Sequence, residues 1–276
     1  INKPNLTLSF DKNKNGKTFI KKQFSSYPFH ICKALYLDKE KTKDMASIYT
    51  QSSSGGIYKE DSLNSQIFLD KNTKVHITSQ ASTIVHETKN KSAKQKTEIM
   101  CDKNSYLEYM PEPMIMLPNS SLETKLIIKA HTKSQLILTD SFFPHNHLEE
   151  EKVFNFFENE IVIKNQNNKI VTIDRFTVNG KDYLKRSKKD FDYNFLCHGT
   201  VIIYCPSINY FKLLNKCKNI CNSKKNVHGS ASSLPNQTGI SVKILSKNAF
   251  DLKNLIEKIW IKNRLFFFNE NPNKRK

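Results

Sequence analysis

The sequence predicts an all-β protein of stacked antiparallel hairpins, β-helix- or sandwich-like, with two helices near its C-terminal end. Three observations carry this. Short segments alternate apolar and polar residues, as in Leu63-Asn64-Ser65-Gln66-Ile67-Phe68-Leu69 and in Val75 and Ile77, the pattern of half-buried strands. Turn-forming groups recur at intervals of about thirty residues, at Asp70-Lys71-Asn72, Asp102-Lys103-Asn104, Thr132-Lys133-Ser134 and Asn165 to Asn168, which suggests a stack of similar units. Only two stretches carry apolar residues at helical spacing. The chain is read as a single domain over 1–276, a β body to residue 205 and then two helices, one strand and a tail.

In chain order, Leu6 to Phe10, Thr18 to Ile20 and Phe29 to Cys32 are short alternating segments, and Asn15-Gly16 is a hairpin turn. Gly16-Lys17-Thr18 imitates the end of a phosphate loop. The first glycine of that motif would stand at position 11, which is Asp11, so a nucleotide site is rejected. Gly55-Gly56 provides a tight bend. Lys89 to Lys96 and Lys181 to Asp192 read as lysine-rich loops. Ile208, Phe211, Leu214 and Cys217 mark the first helix, with Ser207 as candidate N-cap. Asn222 to Asn236 reads as a loop, and Ile240, Val242 and Ile244 as the last strand. Asn248 caps the second helix, whose face is Leu252, Leu255, Ile256, Ile259 and Asn263.

The 276 residues carry a net charge of +18. That charge alone supports a nucleic-acid-binding reading. Arginine, however, occurs only at 175, 186, 264 and 275, and the guanidinium forks that suit phosphates and bases are scarce. The six cysteines are dispersed in a chain long enough to fold without staples, so free thiols in a reducing cytosol are expected. No apolar run approaches membrane-spanning length. The chain opens on Ile1, which suggests a trimmed or partial start.

Three blocks stand together in one order. They are Gly55-Gly56 with Asp61-Ser62-Leu63, then Thr78-Ser79-Gln80-Ala81-Ser82-Thr83, then Leu107-Glu108-Tyr109-Met110-Pro111-Glu112-Pro113. In order and spacing the chain resembles the UreD (UreH) family of urease accessory proteins. Glu60 replaces a family glycine, Tyr109 a tryptophan and Glu112 a glutamine; Ile173-Asp174-Arg175-Phe176 resembles the family's Asp-Arg-Leu block. The resemblance implies a non-catalytic protein. It would bind the urease apoenzyme and UreF-like and UreG-like partners, the second a GTPase. It would help pass nickel(II) to urease, holding no tightly bound cofactor and meeting neither nucleic acid nor membrane.

Several residues are candidates for that chemistry. Asp61, Glu108, Glu112, Asp140 and Glu160 are read at strand ends or turns, where exchangeable oxygen ligands suit passage rather than storage. Ser79, Gln80 and Thr83 could hydrogen-bond a hydrated ion. His145 and His147 stand two apart in Pro144-His145-Asn146-His147 and are candidate metal ligands; with Glu149 to Glu151 they also supply the alternative of a metal-dependent hydrolase. Arg175 is expected to form a structural or interface ion pair. Trp260 and Leu265-Phe266-Phe267-Phe268 form an apolar run that one core cannot wholly absorb, and are expected at a partner interface.

Overall fold

The computed structural model describes residues 3–88, 91–145, 152–183, 195–222 and 226–273. Two sheets face each other. The first contains, in spatial order, β14 (Ile170–Asn179), β13 (Phe156–Asn165), β11 (Ser121–Ala130), β8 (Ala93–Cys101), β5 (Ser62–Leu69), β1 (Leu6–Lys12) and β2 (Thr18–Ser25). The second runs β16 (Val227–Ser233), β17 (Gly239–Ser246), β15 (Cys197–Tyr204), β12 (Gln135–Pro144), β9 (Tyr106–Tyr109), β6 (Lys74–Ser79), β4 (Ala46–Ser52) and β3 (Phe29–Ile31). Two short strands, β7 (Thr83–Val85) and β10 (Met114–Met116), pair with each other in parallel, and β10 also pairs with β12.

The all-β, β-helix-like expectation holds, and its strand directions divide. Hairpins are antiparallel at the flanks, in β1–β2, β13–β14 and β16–β17. The centre is parallel: β5, β8, β11 and β13 align in the first sheet, and β4, β6, β9 and β12 in the second. The turn groups at Asp70, Asp102 and Thr132 carry the chain from the first sheet to the second, whereas Asn165 to Asn168 folds it back within the first as the β13–β14 hairpin. Asn72 and Asn104 take left-handed backbone conformations, φ 62° and 58°, which asparagine tolerates better than most residues. Asn104 donates from Nδ2 to Asn72 Oδ1 at 3.1 Å, locking one coil onto the next.

Inside the coils, Leu8, Ile67, Ile99, Ile128, Leu136 and Leu138 form the main core. A second core lies on the outer face of the second sheet, beneath α1 (Phe211–Cys221) and α2 (Ala249–Phe268). Asn248 caps α2 as expected, accepting from the Asp251 amide, and its predicted face is buried. Three readings are corrected. The loop read over Lys89 to Lys96 gives way to β8 from Ala93 on. Ser207 is not the cap of α1, which begins after Tyr210 with no side-chain cap; the Ser207 hydroxyl donates instead to Thr132 O at 2.6 Å. Part of the expected 222–236 loop is β16, an edge strand whose small and polar residues lack the usual apolar alternation. Among the described residues, no helix is long and apolar enough to cross a membrane.

Candidate functional site

The second sheet has a window. The β9–β12 ladder ends at Tyr109 opposite Leu138. Beyond it the chain turns away through Met110-Pro111-Glu112-Pro113, where two prolines supply no N–H for pairing, while β12 continues through Thr139, Asp140 and Ser141. Three cavities meet around this gap. One of about 350 Å³ lies between the sheets and is lined by Ser65, Ser79, Gln80, Thr83, Gln95 and Thr97, among others. A smaller one of about 80 Å³ shares Thr83, Gln95, Thr97, Tyr109 and Pro111 with it and adds Thr124, Asp140 and Asn159. A third of about 200 Å³ shares Pro111, Glu112, Thr139 and Ser141 with the second and reaches His76, Lys253 and Trp260 under α2.

Asp140 is the acidic centre of the smallest cavity. Asn159 Nδ2 donates to its Oδ2 at 2.5 Å, and Thr124 Oγ1 donates to Asn159 Oδ1 at 2.8 Å. Burial pushes the Asp140 carboxyl up to about 6, because a desolvated carboxylate is costly without a cation in contact. Lys243 opposes that shift from a distance and Asp174 adds to it; the Lys243 ammonium is bonded to Asp174 and, at 3.0 Å, to Thr200 Oγ1.

The remaining candidates scatter. Glu112 lines the two smaller cavities and pairs with Lys253 at 2.6 Å. Asp61 caps a turn, its Oδ2 accepting from the Tyr58 amide at 2.8 Å. Just before it, Glu60 holds φ 63°, a conformation suited to the glycine of the family pattern. Glu160 lies in mid-strand, bridged to Lys125 and, at 3.3 Å, to Arg175; Arg175 also reaches Glu158 at 3.1 Å and is exposed. His145 is exposed just after β12; His147 and Glu149 to Glu151 lie outside the described residues.

Glu108 requires the largest correction. It is not turn-placed but lies within β9, fully buried, on the face toward α2. Arg264 of α2 bonds both its oxygens and reaches Asp38 at 3.0 Å. His76 Nδ1 lies 2.7 Å from Oε2, and Tyr106 donates its hydroxyl to Oε1 at 2.9 Å. Burial alone would raise this carboxyl's pKa. Arg264 and His76 outweigh it and hold Glu108 well below the usual carboxylate range. Trp260 is likewise buried, at 5% exposure, because α2 turns it into the second core. Leu265 to Phe268 continue the helix and are all half-buried; Phe268 meets Tyr106 edge-on at 4.7 Å.

Sequence reasoning missed Arg264, Asp38, His76 and Asn159. Arg264 left one signal, as a rare arginine inside an apolar helical face. Among the described residues no group of three or more His, Cys, Asp or Glu could hold a metal ion.

The chain is thus a β-solenoid with a polar window and small hydroxyl- and carboxylate-lined cavities. The comparisons with known proteins place it. The model of the UreD urease accessory protein family matches residues 3–276, and the chain belongs to that family. It is 25% identical over 253 residues to urease accessory protein UreD 1 of Pseudomonas syringae pv. syringae, covering 92% of this chain and 88% of that one. It is 29% identical over 169 residues to UreD 1 of Methylorubrum populi, covering 61% and 57%, and 25% identical over 258 residues to UreD of Photorhabdus laumondii, covering 92% and 79%. These are accessory proteins, not catalysts, and the chain is one of their kind.

Proposed function

We propose that the chain passes nickel(II) toward the urease metallocentre through the three cavities, while bound to the urease apoenzyme and to UreF-like and UreG-like partners. The observation that carries this is the sharing of walls: the cavities meet at Thr83, Pro111, Glu112, Thr139 and Ser141, with Asp140 in the smallest. Hydroxyl, amide and single carboxylate oxygens hold a divalent ion weakly enough to release it. GTP hydrolysis falls to the UreG-like partner. Six unpaired cysteines, five of them buried, suit a reducing cytoplasm.

The UreF-like partner is assigned to the last turns of α2, where Leu265 to Phe268 keep partly open edges above the buried Trp260. Phe267→Asp in a pull-down, with circular dichroism as folding control, checks that surface; a folded variant that binds like wild type removes it. The path is tested by Ser141→Phe, which puts a ring at the window. Nickel content of reconstituted urease is expected to fall several-fold while the variant still co-purifies with its partners. Unchanged nickel loading with the folded, partner-bound variant would overturn the path.

A further inference from the structure

We infer that His30 and Cys32 form an exchangeable site for a soft divalent cation on the outer side of β3 and the residue that follows it, at the rim of the 350 Å³ cavity. His30 lies on β3 and Cys32 follows the strand directly, one residue past Ile31. Ile31, between them, is buried at 4% exposure, so His30 and Cys32 point outward, and both are exposed. β3 is the edge strand at the end of the second sheet's path.

The donor atoms already sit at a chelating separation. His30 Nε2 and Cys32 Sγ are 3.8 Å apart. Bonds of about 2.0 Å to imidazole nitrogen and about 2.3 Å to thiolate sulfur, meeting near the tetrahedral angle, span roughly 3.5 Å. The pair can close on an ion by side-chain rotation of a few tenths of an ångström. Gln51 lies opposite His30 in the β3–β4 register, and its Oε1 accepts from Cys32 Sγ at 3.4 Å, which places a third, oxygen donor beside the sulfur. Cys32 is the one exposed cysteine of six. Burial pushes the thiols of Cys101, Cys197, Cys205 and Cys217 up to about 12, away from ligand chemistry.

A thiolate with an imidazole selects nickel, zinc or copper over magnesium and calcium. Two strong protein donors leave the other coordination positions to water or to a partner's side chains, so the ion exchanges instead of being locked in place. Binding forms one metal–sulfur and one metal–nitrogen bond and releases the thiol proton to solvent, with no change of oxidation state. Gln51, Phe29 and Ser52 also line the 350 Å³ cavity, so an ion held here waits beside it. That loading role rests on the proposed nickel path; the metal binding itself does not.

The test uses the isolated, reduced full chain titrated with nickel chloride, read by the near-ultraviolet thiolate-to-nickel charge-transfer band and by proton release. One equivalent should produce the band and about one proton. Cys32→Ser should abolish both, and His30→Ala should weaken binding about tenfold or more, with circular dichroism unchanged because both side chains are exposed. Absence of the band in wild type, or its persistence in Cys32→Ser, overturns the site. Because urease is absent from this titration, failure here is separable from failure of the cavity path. A Cys32→Ser chain that lacks the band yet loads urease normally would overturn the loading role and leave the path standing.

Discussion

Glu108, fully buried, and Asp140, half-buried at a cavity, are carboxyls on adjacent strands, and their environments drive them in opposite directions. Glu108 faces α2, where Arg264 and His76 keep it ionised. Asp140 faces a small cavity, where Asn159 supplies only a neutral donor and the Lys243 ammonium that acts on it is bonded to Asp174. Burial penalises both; a cation in contact reverses the outcome for one. The first carboxylate thus serves structure. The second keeps unspent negative charge in a place where a divalent ion could use it.

The largest effect should come from removing Glu108. Glu108→Ala leaves the wholly buried Arg264 guanidinium short of its main partner, and breaking such a pair costs about 3–5 kcal/mol. Urea denaturation should show that loss from pH 5 to 8 alike, because the Glu108 carboxyl stays ionised over that window. Stability within about 1 kcal/mol of wild type would remove the distinction between the two sites.

Asp140→Asn should act the other way on the fold. An aspartate of the unfolded chain titrates near about 4, whereas the folded one is pushed up to about 6. Below both values each state holds the proton and there is no penalty. As pH rises between them the unfolded chain ionises first, so wild type loses stability. Above about 6 the penalty is complete. The asparagine variant escapes it and should be the more stable by about 1–3 kcal/mol at pH 7.5, with the difference vanishing near pH 4, while nickel loading of urease falls several-fold. A difference that does not change with pH would show that Asp140 is as well compensated as Glu108.

The smallest effect is expected at Arg175. Its partners Glu158 and Glu160 lie near solvent, and exposed pairs contribute about 1 kcal/mol or less. Thermal unfolding of Arg175→Ala should stay close to wild type. A larger loss would mean that surface pairs on β13 and β14 matter as the buried one does.

The stacked fold was legible because its turns repeat. Asp70-Lys71-Asn72 and Asp102-Lys103-Asn104 gave the period, and alternation gave the strands. Strand direction was not legible: a turn leading to a partner in the same sheet and one leading to the opposite sheet use the same residues. Thr83 and Glu112 were legible as polar groups beside bends, whereas Asp140, read at a strand end or turn, lies within β12. Glu108 was misjudged because its compensating cation lies 156 residues away, beyond any local pattern. Asn159 gave no signal apart from its place between two glutamates.

The buried network also sets an order of events in synthesis. Asp38 and Glu108 precede Arg264 by 226 and 156 residues, so both are synthesised well before it. Glu270 closes the same corner by accepting from the Thr42 amide and hydroxyl at 3.0 Å. Until α2 emerges, the nascent coils must keep two carboxylates hydrated, and the face that α2 will cover stays open. Such partly built states bind promiscuously through their bare apolar surface. Docking of α2 therefore neutralises charge and covers part of the second core in one step.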